Sequence, residues 1–394
     1  MMKRAHLQLK SFACCLTILF LNLEINIWSY NNKPSEGFRC MHDRLLIPRK
    51  IFSICFIMLF ASLGCRANKG EKWERMTKMV PGSEIVISPE THSEIIFPIW
   101  IRTMPDYFLL YDSGQNKVFS YTYSGEKIFE FGDEGRGPGE FQSLTNCWIM
   151  NDHIELYDFN QRKIIKYDLK GTFIEEYLIG NAGLSGRIEM LGSDKIVSPA
   201  QGESRALMKV YDHRRDSLSF IGKAIGGPDE IGGETTHEII RRGRIPNYMK
   251  NSIFLGTNAS GIFSFQETTA LLQKYSNDGE LLWEIDLKIP SQEMLYEEFM
   301  EELNEVGDRY IPSYSYAHGI HTVDQGTAIL LNTSSGNPVT VAWITNDGSQ
   351  VSIFEYPDIE NTSIIRFRVK IENNTIFFIN PIEGYVYKSD FPLH

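Results

Sequence analysis

The sequence predicts an all-β fold, a single six-bladed β-propeller with a short helical insertion, preceded by a signal and lipoprotein segment. Three observations carry that prediction. Residues 106–131 (DYFLLYDSGQNKVFSYTYSGEKIFEF) superimpose on residues 152–177 (DHIELYDFNQRKIIKYDLKGTFIEEY): Tyr111 and Asp112 recur as Tyr157 and Asp158, Lys117 as Lys163, Tyr121 as Tyr167 and Gly125 as Gly171, each 46 residues later. Each copy reads as an apolar run, a polar turn, an alternating run, a Gly turn and another alternating run, which is the pattern of short antiparallel strands in a propeller blade. Residues 84–394 number 311, just under seven such periods, and removing one clear insertion leaves about six blades.

Taken in chain order, the first expectation concerns the N-terminus. An apolar stretch at residues 12–23 is broken by Thr17 and Asn22 and followed by Glu24. Residues 1–40 are expected to be an over-extended start, with Met41 the true one; the alternative is a membrane hairpin, which the shortness of the stretch disfavours. Residues 41–64 have the parts of an export signal: Arg44, Arg49 and Lys50, then an apolar run at 51–63, then small residues before Cys65. Leu63-Gly64-Cys65 resembles a bacterial lipoprotein box, which implies acylation of Cys65 and a lipid-anchored protein of the cell envelope, in the outer membrane facing the periplasm. Ser62 departs from the larger aliphatic residue usual there, and a plain signal peptide or N-terminal helix is the alternative. Residues 65–83 are polar and aperiodic and read as a tether.

Composition is that of a globular protein, 42% hydrophobic and 23% charged. The net charge is −11, and because residues 1–64 carry eight Lys and Arg against three Asp and Glu, the remainder is more acidic still, at −16. Such a body argues against nucleic acid as a partner. Of six cysteines, Cys14, Cys15, Cys40 and Cys55 precede Cys65, so only Cys147 falls in the folded body. A single cysteine makes no internal disulfide, and the apolar surroundings Asn146-Cys147-Trp148-Ile149-Met150 predict a buried structural thiol.

Strand and turn signals continue to the C-terminus. Val210-Tyr211-Asp212 repeats the Tyr-Asp element, Asp278-Gly279 and Asp347-Gly348 mark hairpin turns, and residues 375–390 read as a final blade. Ring closure is expected from residues 84–88 pairing near residues 385–388, which removes two open sheet edges. The insertion is 290–306, where Leu295, Phe299, Leu303 and Val306 share one helical face and Glu297, Glu298, Glu301, Glu302 and Glu305 cover the rest. Pro290 suits its start and Gly307 its stop, and the helix is expected to cap a propeller face.

The sharpest local motif is FGDEGRGPGEF at 131–141, echoed by IGKAIGGPDEI at 221–231. Neither copy has the spacing of a phosphate loop, so both read as blade-to-blade connections with Glu140 and Glu230 as anchors. The run GRGPGEF at 135–141, the run IELYDFNQRKIIKYDLKGTFI at 154–174 and the Cys65 box together resemble the NHL/TolB-like six-bladed propeller lipoproteins of Bacteroidetes. That resemblance implies an exported propeller and supplies no catalytic residues.

Catalytic signatures such as G-x-S-x-G and H-E-x-x-H are absent from the sequence. His318 and His321 (HGIH) would be a metal pair if a loop brought them together; ordinary loop histidines are the alternative. Arg241, Arg242 and Arg244 form a basic cluster, and Tyr314 and Tyr316 lie in a Pro- and Ser-containing loop. With His318, these are the candidate ligand-binding residues on a ring face. The leading expectation is a binding or scaffolding module of the envelope, with a protein, peptide or glycan partner, no cofactor and no reaction of its own. The alternative is a metal-dependent lactonase- or lyase-like propeller, which calls for three or more carboxylate or His side chains converging at the channel mouth.

Overall fold

Apolar residues on both faces of a strand leave it stable only between two other layers, and this chain meets that demand by arranging six small, mainly antiparallel sheets as a ring. The computed structural model describes residues 75–180, 183–201, 203–226, 235–307, 309–360 and 364–393. Two strands come first, β1 (Arg75–Met79) and β2 (Glu84–Ile87). Blade one is β3 (Pro98–Thr103), β4 (Tyr107–Asp112), β5 (Lys117–Thr122) and β6 (Lys127–Phe131). A connection containing β7 (Asp133–Glu134) and β8 (Glu140–Phe141) leads to blade two: β9 (Leu144–Ile149), β10 (His153–Asp158), β11 (Lys163–Asp168) and β12 (Phe173–Leu178). Blade three is β13 (Glu189–Leu191), β14 (Lys195–Pro199), β15 (Met208–Asp212) and β16 (Ser217–Ile221). Helices α1 (Thr236–Arg241) and α2 (Asn247–Lys250) precede blade four: β17 (Ile253–Asn258), β18 (Gly261–Gln266), β19 (Leu271–Tyr275) and β20 (Leu281–Asp286). Helix α3 (Leu295–Val306) then leads to blade five, β21 (Ala317–Val323), β22 (Gly326–Leu331), β23 (Val339–Thr345) and β24 (Val351–Tyr356). Blade six is β25 (Arg366–Lys370), β26 (Thr375–Asn380) and β27 (Tyr385–Asp390), completed by β2.

The core is divided among the spaces between blades. Along β4, Phe108 and Leu110 pack toward blade six with Phe377 and Ile379, while Leu109 and Tyr111 pack toward blade two with Ile154 and Leu156. Along β22, Ile329 and Leu331 join blade four, and Ala328 and Leu330 join blade six. Successive strand residues point to opposite faces, so the continuous apolar runs FLLY and TAILL are what a strand buried on both sides requires. Removing one such ring, as in Phe108→Ala, is expected to cost about 3–5 kcal/mol.

Closure follows the sequence expectation. Strand β2 pairs antiparallel with β27, with Glu84 opposite Lys388 and Ile85 opposite Tyr387. The expected tether ends earlier than its polarity suggested. Within residues 65–83, Arg75–Met79 form β1, a fifth strand lying parallel on β24 with Arg75 opposite Val351 and Met79 opposite Glu355. Its backbone fills the outer edge of blade five while Met76 and Met79 stay exposed, which is why no burial pattern marked it. Residues 1–74, and with them Cys65 and the export segment, lie outside the described residues, as do Gly227 to Glu230 of the second glycine motif. Among the described residues no helix is long and apolar enough to cross a membrane.

The first glycine motif is a blade connection. Glu140 reaches back to accept the Gly137 amide at 2.7 Å, and the Lys163 ammonium approaches the Gly137 carbonyl at 3.4 Å. A Cβ at Gly135 would sit 1.9 Å from the Glu140 carboxylate, so the carboxylate can anchor the loop only because no side chain is there. The amphipathic insertion also folds as expected, with Leu295, Phe299 and Leu303 buried and Gly307 at φ 65° stopping it. Its apolar face joins the core shared by blades four and five, where Phe299 stacks on Tyr314 at 5.1 Å.

Candidate functional site

The first strand of each blade, β3, β9, β13, β17, β21 and β25, lines the hub of the ring. Each is the edge strand of its sheet, with one backbone edge that no other strand covers, and polar side chains collect along it. Two cavities of about 440 and 850 Å³ occupy the hub and share Arg102, Glu189, Leu255, Ile320 and Arg368 in their walls. The two adjoin at those residues and together form the central channel. Every blade places a polar group in the wall: Arg102, Asn146, Glu189, Thr257, His318 and His321, and Arg366 and Arg368.

Strand register explains who points inward. In Arg366-Phe367-Arg368-Val369, the apolar members are buried in the core between blades five and six, so the two arginines share the other face and enter the channel. Arg102 is held by its own and the next blade: Nε donates to the Cys147 carbonyl at 2.6 Å, Nη1 to the Ile101 carbonyl at 2.8 Å, and Nη2 to Asn146 Oδ1. Arg187 lies over the Phe254 ring at 4.4 Å and pairs with Glu267. Arg366 Nη1 donates to the Ile365 carbonyl at 2.8 Å. Arg368 stands apart, because its Nε is buried and has no hydrogen-bond partner.

The carboxylate that lines both cavities, Glu189, makes its hydrogen bonds elsewhere. Glu189 accepts from Trp148 Nε1 at 3.1 Å and from Asn146 Nδ2 at 3.2 Å. Burial pushes its carboxyl above the ordinary value, against the lowering pull of Arg102 and Arg368. The arginines act on one another: burial first and Arg102 second bring the Arg368 guanidinium down to about 9, and Arg366 is lowered by burial, then by Arg187 and Arg102. Cys147, below Arg102, is buried as expected, and burial pushes its thiol up to about 12.

The two histidines sit in β21, three positions apart, and not in a loop. The pairing register shifts between Ala317 and Gly319, so His318 lies in a β-bulge; it lines the smaller cavity and His321 the larger. The Val369 amide donates to His321 Nδ1 at 3.0 Å, so that nitrogen carries no proton and the neutral ring is protonated at Nε2. Burial, then Arg368 and Arg102, hold the His321 imidazole well below its usual pKa, and burial and Arg366 bring His318 down to about 4. The HGIH pair is thus divided between the two cavities. Among the described residues no three His, Cys, Asp or Glu side chains form a metal-ligand group.

The other candidates fall elsewhere. Arg241, Arg242 and Arg244 are exposed at the end of α1 and just beyond it, and are not in the channel wall. Tyr314 and Tyr316, expected as exposed stacking platforms, are buried instead at 8% and 4% exposure. The Tyr314 hydroxyl donates to that of Tyr316 at 2.8 Å, and α3 covers the pair, because the loop that carries them is the seat of the helix. Tyr314 lines a side cavity of about 500 Å³ that shares Arg187 with the channel. The sequence reading missed Arg102, Arg187, Arg366 and Arg368. The signal available was Arg-x-Arg alternation in a strand whose intervening residues are core.

A family described as a 6-bladed beta-propeller, DUF5128, matches residues 86–179, which run from β2 through the first two blades. No curated protein matches the sequence. Among solved structures, an exported protein of Bacteroides fragilis is 11% identical, with 80% of this chain and 99% of that one covered at a TM-score of 0.52. A member of the DUF4221 family from Bacteroides vulgatus is 8% identical, covering 78% of this chain and 92% of its own, at 0.49. Virginiamycin B lyase from Staphylococcus aureus is 12% identical, covering 76% and 81%, at 0.41. The first likeness shows a shared fold, and the other two carry no argument about the site.

Proposed function

We propose that this chain is an exported binding propeller of the cell envelope, anchored by a lipid at Cys65, whose ligand enters the central channel. The observation that carries the reading is the convergence of polar side chains from all six blades on one channel, within a wall that is otherwise apolar. A cavity of about 440 Å³ lies in the range of small-molecule sites, which combine apolar walls with a few placed polar groups. The export segment at residues 41–64 supports the envelope assignment, as does the exported Bacteroides fragilis protein that shares the fold.

The test is to plug the channel where the two cavities adjoin. Ile320 borders both cavities, so Ile320→Trp narrows the passage without adding charge. A thermal-shift screen of peptides, glycans and organic acids is expected to yield a class that raises Tm in the wild type and not in Ile320→Trp. A ligand whose effect survives the plug moves the working surface out of the channel. For the anchor, Cys65→Ala is expected to leave uncleaved precursor and to empty the membrane fraction of mature protein; normal processing would exclude lipidation.

A further inference from the structure

The charge inside the channel runs opposite to the charge outside it. The chain is acidic, at −11, yet the channel wall draws Arg102 from blade one, Arg366 and Arg368 from blade six, and Arg187 from the loop that enters blade three. Two carboxylates stand near them. Glu267 pairs with Arg187, and Glu189 spends its hydrogen bonds on Trp148 and Asn146. Like charges gathered in a partly desolvated space repel, and a fold gains nothing from assembling them unless something of opposite charge joins. Arg368 adds an independent sign, a buried guanidinium Nε with no partner. Buried donors are rarely left unpaired, and an unpaired one asks for an acceptor that arrives from outside.

We propose that the channel is an oxyanion site that takes a small molecule bearing a carboxylate or phosphate group, with Arg366 and Arg368 as the recognising pair. The inference rests on the channel being the working surface. Arginine suits this task because its planar fork matches both oxyanions, and charge-assisted pairs of this kind are the strong ones. Arg102 has a different duty: its three hydrogen bonds to Ile101, Cys147 and Asn146 fix it as a positioned charge. The apolar rings of Phe254 and Trp100 complete the wall, so the remainder of the ligand is a compact body with an apolar or stacking face.

The experiment compares the full-length protein, solubilised in detergent, with Arg366→Gln/Arg368→Gln. Inorganic phosphate and malonate are titrated separately by thermal shift and calorimetry, against chloride at matched ionic strength. At least one of the two should stabilise the wild type, and which one does identifies the oxyanion. The double variant should bind that anion about tenfold to hundredfold more weakly, the effect of losing charge-assisted hydrogen bonds. In anion-free buffer its Tm should equal or exceed that of the wild type, since the repulsion of each against Arg102 has gone; a structural pair would lower it. If neither anion stabilises the wild type, the ligand class is wrong, and the Ile320→Trp plug still judges the channel on its own. If an anion stabilises wild type and double variant equally, the oxyanion site lies elsewhere.

Discussion

At the scale of single residues, the Tyr-Asp repeat encodes a turn. Asp112 accepts the Ile96 and Phe97 amides at 2.7 Å and the Gln115 amide at 2.8 Å, and Asp158 accepts those of Gln142, Asn160 and Gln161. Each carboxylate closes its hairpin and ties it to the loop entering the blade. In the channel, His318 and His321 make a pH prediction. Both imidazoles are depressed in the folded state, His318 to about 4, so between there and the ordinary value near 6.5 the unfolded chain binds more protons. Their contribution to stability is therefore full above about pH 6.5 and is lost as pH falls toward 4. Unfolding free energies from urea titrations should drop by at least ~2 kcal/mol more between pH 7 and 4.5 in the wild type than in His318→Gln/His321→Asn, at one pKa unit per ~1.4 kcal/mol. Parallel pH curves for the two would show that the histidines do not titrate in this way. These residues were hard to read from sequence for a physical reason. Arg102 and Arg366 are joined only by ring closure, whereas Arg241, Arg242 and Arg244 are adjacent in sequence and meet at an exposed helix end.

At the scale of elements, hairpins were legible and their place in the blade less so. Gly125, Gly171, Gly279 and Gly348 all turn between the third and fourth strands of their blades at φ between 69° and 90°, where a side chain is strained. Tyr211-Asp212 looked like another copy of Tyr111-Asp112, but it ends the third strand of blade three whereas Tyr111-Asp112 ends the second of blade one. The pair marks a hairpin with an Asp cap and carries no blade coordinate, since Asp212 likewise accepts the Arg214 and Arg215 amides. Helix α3 was legible because a 3.6-residue period needs no partner to be seen. Leu295 and Phe299 are 6% and 3% exposed against blades four and five. Changing both to Asp should cost at least ~4 kcal/mol, the loss of two buried side chains plus buried charge. A melting temperature within a degree of wild type would mean that the helix is not docked.

At the scale of the whole molecule, six spaces between six blades each hold a separate apolar cluster, so the ring is as strong as its weakest junction. The junction of blades six and one depends on β2, where Ile87 is fully buried. Ile87→Asp should destabilise by several kcal/mol and expose the β27 edge, seen as a lower Tm with self-association in size-exclusion chromatography. A monomer of unchanged Tm would show that closure does not need β2. The closing pair also sets an order in time. Glu84 is synthesised 304 residues before its partner Lys388. At ~5–20 residues per second a ribosome takes roughly 15–60 s to cover that interval. Throughout it, the first strand of the domain to be made as part of the last blade waits with no sheet to join. Blades one to five can form locally as they emerge, but the circle is completed only when the final strand is released, so a truncation that removes β27 leaves an open ring.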